Sequence, residues 1–142
     1  MKKDRYKVVI IGFAHMHINE VAACFYAHPK IKLAACADTV PAVPEIHEGP
    51  YTRGWNLRFV REHYGVEKVY DDYVAMLEAE KPDLAIITSE NVWHRQIVQD
   101  CALRGVDVCI EKPMAMSYSD ALAMVRDARA TGIRLLVNWP VT

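Results

Sequence analysis

The stretch KVVIIGFAHMH, residues 7–17, decides the fold, because it passes from a strand into a helix through a glycine. Lys7–Ile11 is continuous and rich in β-branched residues, as expected for a strand buried on both faces of a parallel sheet. Residues 18–25 then repeat apolar side chains at the i, i+3, i+4, i+7 spacing of one helix face. The segment therefore predicts a buried strand, a tight turn and an amphipathic helix.

The same alternation of strand and helix continues along nearly the whole chain. Further strands are predicted at Ile31–Ala37, Lys68–Tyr70, Leu84–Thr88, Val106–Ile110 and Arg134–Asn138. Helices are predicted at Leu57–Tyr64, Asp72–Glu80, Val92–Leu103 and Ser117–Ala130. Val40–Gly54, with its prolines and glycines, is predicted to be a loop or insertion. The pattern predicts an α/β fold, a Rossmann-type doubly wound parallel sheet in the order 3-2-1-4-5-6, as a single domain over residues 1–142.

Composition restricts the class of protein. The chain has 142 residues, of which 52% are hydrophobic and 25% charged, and its net charge is −1. This charge gives no electrostatic reason to expect binding to nucleic acid. No apolar run has the length of a membrane span or the form of a signal peptide. The cysteines form no CxxC pair and lie in apolar stretches, so we expect reduced thiols and a cytoplasmic protein.

The predicted fold indicates where a ligand would bind. In an open parallel sheet, ligands bind beyond the carboxyl ends of the strands, where the strand order reverses, here between the first and fourth strands. The segments that follow the strands at this edge are Gly12–His15, Asp38, Thr88–His94 and Glu111–Pro113. We expect these segments to form the lip of one crevice.

The first turn is an altered dinucleotide fingerprint. The GxGxxG pattern allows a pyrophosphate to approach the amides of a helix N-terminus closely. Here the first glycine is kept as Gly12, whereas Ala14 and His17 stand at the second and third glycine positions. By itself this turn is equally compatible with an ordinary strand-to-helix connection.

Asp38 is a candidate cofactor selector. It ends the second strand, 26 residues after Gly12, where a carboxylate can accept hydrogen bonds from adenosine ribose hydroxyls. Its charge would repel a 2′-phosphate, so we expect NAD rather than NADP. The alternative is an acidic residue that only caps a helix or a loop.

The segment GVDVCIEKP, residues 105–113, is the most specific in the chain. It resembles the GKHVxxEKP signature of the Gfo/Idh/MocA oxidoreductase family. PDLAIIT, residues 82–88, resembles the fourth strand of that family, and His94 resembles the histidine that follows it. Asp38 matches the acidic residue after the second strand, and residues 136–140 are similar to the sixth strand and the crossing to a second domain. The resemblance covers almost all of the chain, but only the amino-terminal domain of the family.

The resemblance implies an NAD-dependent oxidoreductase that transfers a hydride between nicotinamide and a secondary alcohol of a sugar, polyol or related compound. Lys112 is then the catalytic residue, which contacts the reacting hydroxyl; Glu111 contacts the nicotinamide ribose or orients Lys112. An ammonium there would stabilise the developing alkoxide and could relay a proton. The full set of expected cofactor-binding residues is Gly12, Phe13, Ala14, His15, Asp38, Thr88, Ser89, Glu90, Asn91, His94, Glu111, Lys112 and Pro113.

The chain also departs from the family pattern. The loop TSENVWH, residues 88–94, replaces the more usual Thr-Pro-Asn. The carboxy-terminal substrate domain has no counterpart within the 142 residues, so the chain is either a fragment of a longer enzyme or a naturally isolated domain. We expect a fragment that is inactive alone and homo-oligomeric in its full-length form.

Three alternatives to this interpretation remain. One is a non-catalytic NAD(H) sensor, against which the retained Lys112 argues. Another is a Rossmann-type methyltransferase, in which the EKP segment would have no role. The third is a zinc site of His15, His17 and His94. A first helix beginning near Met16 would turn the first two imidazoles in different directions, so no metal site is predicted.

The tryptophans are expected to be packing residues. Trp93 and Trp139 are also positioned in the sequence where they could flank a nicotinamide pocket.

Overall fold

The computed structural model describes residues 3–139, which form a parallel β-sheet with helices on both faces. The strands are β1 (Tyr6–Ile11), β2 (Ile31–Ala37), β3 (Lys68–Tyr70), β4 (Leu84–Ile87), β5 (Asp107–Glu111) and β6 (Leu135–Asn138). The helices are α1 (Ile18–Tyr26), α2 (Arg53–Tyr64), α3 (Tyr73–Glu80), α4 (Asn91–Leu103) and α5 (Tyr118–Thr131). The predicted fold class is confirmed.

The sheet has the strand order β3-β2-β1-β4-β5-β6, as predicted. All of its strand pairs are parallel, and Ile11 at the end of β1 is in register with Ala37 of β2 and Ile87 of β4. The strand order therefore reverses between β1 and β4, with the carboxyl ends of β1, β2 and β4 at the same level. This places the crevice where the sequence indicates it.

Alternation along β1 divides the core between the two faces of the sheet. Val8 and Ile10 pack with Ile18 of α1 and Val60 of α2 on one face. The intervening residues of β1 pack on the other face with buried side chains of α3, α4 and α5, among them Met76, Ile97, Val98 and Met124. A strand buried on both faces is continuous and apolar in sequence, which is why these strands could be predicted.

The main difference from the sequence prediction is the start of α2. The helix begins at Arg53 rather than at Leu57, so the connection predicted as Val40–Gly54 ends at Thr52. Thr52 has extended backbone angles, and its side chain accepts a hydrogen bond from the Trp55 amide, as an N-cap residue does. The prediction was wrong because the nearby prolines and glycines are typical of a loop, and the N-cap signal of Thr52 is not distinct among them.

Other helix ends agree with their sequence signals. Ser117 caps α5 by accepting a hydrogen bond from the Asp120 amide, and Gly132 ends that helix at a φ of 79°. Within residues 3–139 no helix combines the length and apolarity that a membrane crossing requires. The predicted crossing at Pro140 lies outside the described residues.

Candidate functional site

The turn after β1 is tied directly to the end of β4. The Thr88 hydroxyl donates to the Gly12 carbonyl at 2.6 Å, and the His15 amide donates to the Thr88 carbonyl at 3.0 Å. Gly12 has a φ of 85°, and a Cβ at this position would lie 2.5 Å from backbone atoms of Ser89. Both the backbone conformation and the close approach require glycine here. The first fingerprint glycine therefore holds the two sides of the crevice together.

Asp38 lies beside this turn at the end of β2. Its carboxylate accepts hydrogen bonds from the Phe13 amide at 3.0 Å and the Thr39 amide at 2.9 Å, and it is paired with Arg53. Burial raises the pKa of the Asp38 carboxyl above its ordinary value, although the Arg53 guanidinium opposes this shift. These bonds to the chain use Oδ1, so Oδ2 is the oxygen that can face a ligand.

A cavity of about 600 Å³ opens beside Asp38. Its walls include Val40 from the connection after β2, Tyr70 from the end of β3 and Trp93 from α4. An apolar cavity with a carboxylate at its rim, at the point where the strand order reverses, fits the adenosine half of a dinucleotide. Trp93 therefore lies on the same side of the crevice as Asp38, and its indole N–H donates to the Val40 carbonyl at 2.9 Å. That Trp93 flanks a nicotinamide pocket stays a prediction.

Arg53 is a site residue that the sequence analysis missed. Its guanidinium bridges Asp38 and Glu90, and it also donates to the Thr39 carbonyl at 3.0 Å. Glu90 in turn accepts from the Ala42 amide at 3.0 Å. Burial raises the pKa of Glu90, but the hydrogen bonds from Arg53 and Ala42 outweigh it and leave the pKa below its usual value. The connection after β2 is thus fastened to both sides of the crevice by charged groups.

The EKP segment, Glu111–Pro113, lies at the end of β5. Glu111 is almost fully buried, with 1% of its surface exposed, and Asn138 of β6 donates to its Oε1. The Lys112 amide donates to Oε2 at 3.1 Å, and the Lys112–Pro113 peptide bond is cis. Lys112 is half-buried, so it keeps contact with solvent.

The two histidines of the first turn converge on Glu111. Nδ1 of His17 lies 3.2 Å from both carboxylate oxygens, and Nε2 of His15 lies 3.8 Å from Oε2. Their ring centroids are 4.5 Å apart. The helix begins at Ile18 rather than near Met16, so the expectation that the rings diverge was wrong. Burial lowers the pKa of His15, against the opposing effect of the Glu111 carboxylate.

His94 lies beneath the crevice rather than on its surface. Its ring is fully buried, with Nδ1 3.1 Å from the Met114 carbonyl and Nε2 3.2 Å from the Ser89 carbonyl. Burial lowers the pKa of His94 and favours the neutral ring. The expectation of a direct cofactor contact is corrected: in this position His94 links the loop after β4 to the turn after Pro113. It is also not part of a three-histidine cluster.

The other expected residues surround the same crevice. Phe13 has a buried side chain and presents its amide to Asp38, whereas Ala14 and Glu90 line a second cavity of about 530 Å³ under the connection after β2. Ser89 contacts Gly12, and Asn91 is the first residue of α4. Trp139 is exposed beyond β6.

Comparison with known proteins identifies the fold and its family. The family model described as "Oxidoreductase family, NAD-binding Rossmann fold", Gfo/Idh/MocA, matches residues 6–139. A D-apiose dehydrogenase of Rhizobium rhizogenes is 34% identical over 138 residues, covering 97% of this chain and 36% of the relative. A D-glucoside 3-dehydrogenase of Escherichia coli is 39% identical over 132 residues, covering 93% and 34% respectively.

A solved structure supports the same assignment. It is an oxidoreductase from Agrobacterium radiobacter in complex with NAD+, L-tartaric acid and magnesium, and it superposes with a TM-score of 0.76 at 26% identity, over 94% of this chain and 35% of that one. The chain spans about a third of the length of these relatives. On its sequence, its strand order and this match, the chain belongs to the Gfo/Idh/MocA oxidoreductase family, and residues 6–139 are its NAD-binding Rossmann domain.

Proposed function

We propose that this chain is the nucleotide-binding part of a dehydrogenase that oxidises a secondary alcohol of a sugar or polyol with NAD. The observation that supports it most strongly is the arrangement at the end of β5. There Glu111, fixed by Asn138, holds the backbone of Lys112 beside the turn after β1. The relatives named D-apiose dehydrogenase and D-glucoside 3-dehydrogenase support a carbohydrate substrate.

The residues at the end of β5 have distinct proposed roles. When bound, NAD supplies the hydride acceptor. The Lys112 ammonium would lie against the reacting hydroxyl, where it stabilises negative charge on oxygen and takes part in moving the proton. Glu111 would orient the Lys112 backbone through the amide bond described above and contact the nicotinamide ribose. Pro113 would stiffen the turn that follows.

The rest of the expected set would hold the dinucleotide. Gly12, Phe13, Ala14 and His15 would present the turn after β1 to the pyrophosphate, and Thr88, Ser89, Glu90 and Asn91 would line the ribose path at the end of β4. Asp38 would accept the adenosine ribose hydroxyls through Oδ2 and thereby favour NAD over NADP. His94 would act indirectly, by holding the loop after β4.

The activity of the whole enzyme requires more than these residues. We propose that a substrate domain outside these residues completes the catalytic site, as the greater length of the relatives suggests. We also propose that the whole enzyme is a homo-oligomer. We also propose a cytoplasmic location, which is compatible with the four free cysteines and with reduced thiols. No role in binding nucleic acid is proposed.

The test is a Lys112→Met substitution in the natural protein that contains this sequence. NADH formation is followed by absorbance with a panel of aldoses, glycosides and polyols, and NAD affinity is measured separately. We expect turnover to fall by at least about a hundredfold, while the Kd for NAD changes by less than about threefold. The exposed Lys30→Met is the matched control and should retain both properties. Undiminished turnover in Lys112→Met would refute the proposal. NAD binding without turnover of any panel member in the wild type would favour the sensor alternative instead.

A further inference from the structure

We propose that His15, His17 and Glu111 form a binding site for one divalent transition-metal ion of the Zn²⁺ class. One ligand atom from each of these residues lies within 4.8 Å of the other two. Two imidazoles and one carboxylate are the ligand set of one type of catalytic zinc site, in which a fourth position is left for water or substrate. The proposal goes beyond the nucleotide-binding function and does not rest on it.

The distances are close to those that a tetrahedral site needs. Ligand bonds of about 2.1 Å at tetrahedral angles separate neighbouring ligand atoms by about 3.4 Å. Nδ1 of His17 lies 3.2 Å from the Glu111 carboxylate, and Nε2 of His15 lies 3.8 Å from it. Small side-chain rotations would therefore bring all ligand atoms into place. The backbone is already set by the turn after β1 and the end of β5.

The Glu111 carboxylate has the environment of an oriented ligand. Asn138 donates to one of its oxygens and the Lys112 amide donates to the other, so two hydrogen bonds fix the orientation of the carboxylate. Hydrogen bonds of this kind orient the ligands of metal sites and strengthen binding. Within residues 3–139 no Lys or Arg side-chain nitrogen lies within 4.0 Å of this carboxylate, and the basic side chains at that range are His15 and His17. A buried carboxylate without a strong cation beside it is suited to accept one.

Access to the site is from the crevice. The side chains of His15 and His17 are 26% and 20% exposed, whereas Glu111 is 1% exposed. An ion would therefore enter past the imidazoles, and its open position would face the crevice. A water or a substrate hydroxyl bound there would be polarised by the ion.

Two features of the site weaken the binding of a metal ion. The positive charge of Lys112 acts on His15, so it would repel an added cation. The His17 amide also donates to Nδ1 of His15 at 3.2 Å. If Nε2 of His15 binds the ion, the ring proton moves to Nδ1 and this hydrogen bond is lost. We therefore expect binding weaker than at a closed four-ligand structural site.

The test is a Co²⁺ titration of the 142-residue chain without nucleotide, followed by visible absorption and by metal analysis after gel filtration. We expect about one Co²⁺ per chain with the intense visible bands of a tetrahedral or five-coordinate ion, and competition by Zn²⁺. His17→Ala should weaken binding by more than about a hundredfold, since loss of a direct ligand exceeds loss of its supporting hydrogen bond. His47→Ala, in the exposed connection after β2, is the matched control and should bind as the wild type does.

A second variant separates ligand loss from misfolding. His17→Cys should restore binding and add a sulfur-to-cobalt charge-transfer band, because thiolate is also a ligand of this class of ion. Absence of stoichiometric Co²⁺ in the folded wild type would overturn the proposal. Equal affinity in the wild type and in His17→Ala would also overturn it. Because His15 and Glu111 also belong to the proposed cofactor site, NAD affinity is measured separately on metal-free protein.

Discussion

Gly12 and Ser89 approach so closely that no side chain can be placed between them. A Cβ on Gly12 would lie 2.5 Å from the Ser89 Cα and amide nitrogen. This contact joins the turn after β1 to the loop after β4, the two segments between which the strand order reverses. Gly12 is therefore required for this contact, and a glycine at this position also leaves room for the close approach of a pyrophosphate.

Gly12→Ala is expected to lower the free energy of unfolding by about 2–5 kcal/mol. The left-handed backbone costs about 1–2 kcal/mol for a non-glycine residue, and the overlap with Ser89 adds about 1–3 kcal/mol. Urea denaturation measures the change. Gly132→Ala is the matched control, since Gly132 has a φ of 79° but open space around its Cβ position, and should cost only the backbone part. Equal losses in the two variants would mean that the Ser89 contact has no energetic weight.

Asp38→Ser is expected to shift cofactor preference toward NADP. Removing the carboxylate removes an acceptor for the ribose hydroxyls, worth about 1.5–3 kcal/mol, and also the charge that repels a 2′-phosphate. Arg53, still paired with Glu90, would remain beside the freed position and could pair with the phosphate. The ratio of the NADP to the NAD dissociation constant should fall by at least about tenfold in calorimetric titrations.

The control for this substitution is Asp71→Asn, an exposed acidic residue that lines the same cavity. It should leave the ratio of the two dissociation constants unchanged. An unchanged ratio in Asp38→Ser would show that Asp38 does not select the cofactor.

His94→Leu is expected to lower the free energy of unfolding by about 1–3 kcal/mol, because the N–H of the buried neutral ring donates to one of the Ser89 and Met114 carbonyls and leucine has no donor to replace it. The substitution should also change the pH dependence of stability. Burial lowers the pKa of His94, so the folded state binds fewer protons there than the unfolded state. That stability is present above the unfolded pKa of about 6.5 and is lost as the pH falls toward the folded pKa.

The measurement is urea denaturation of the wild type and of His94→Leu in steps from pH 8 to pH 5, with His47→Leu as an exposed control. The wild type should lose more stability than His94→Leu over this range. Parallel curves for the two proteins would mean that His94 is not buried in its neutral form.

Glu80→Gln is expected to lower the free energy of unfolding by about 1.5–3 kcal/mol at pH 7, as expected for buried hydrogen bonds to a charged group. Glu80 is 5% exposed and accepts hydrogen bonds from Lys68, Tyr70 and Lys7. The hydrogen bond from Lys68, with burial opposing, lowers the pKa of Glu80 to about 2.

The sign of the pH dependence follows from this lowered pKa. The stabilisation by Glu80 is complete above its unfolded pKa of about 4.3 and is lost as the pH falls toward 2. Acid titration of stability should therefore be less steep in Glu80→Gln than in the wild type. Glu78→Gln, an exposed surface pair with Arg104, is the control and should follow the wild type. If the stability of Glu80→Gln falls with pH in parallel with that of the wild type, the pKa of Glu80 is not lowered in the folded state.

The fold could be predicted because its signals are local. The strands are continuous apolar runs, and most helix ends have their own cap residues, such as Ser117 and Gly132. The start of α2 was predicted wrongly because the N-cap signal of Thr52 lies among several residues that are typical of turns. Local patterns therefore specify elements well and irregular connections poorly.

The candidate site was predictable by position but not by contact. The sheet rule places the segments after β1, β2, β4 and β5 at one edge, so these segments could be expected to lie together. The pairing of His17 with Glu111 joins residues 94 apart, and the bridge from Arg53 to Glu90 joins residues 37 apart. No spacing in the sequence indicates such contacts. The predicted orientation of the two histidines failed because it depended on where α1 begins.

The most direct test of the account is a calorimetric titration of the 142-residue chain with NAD. A folded chain, shown by cooperative unfolding in urea, should bind about one NAD per chain in a saturable manner, and more weakly after Asp38→Ser. This result would place the cofactor in the crevice between β1 and β4. A chain that unfolds cooperatively but shows no saturable binding of NAD would contradict the assignment of this crevice as a cofactor site.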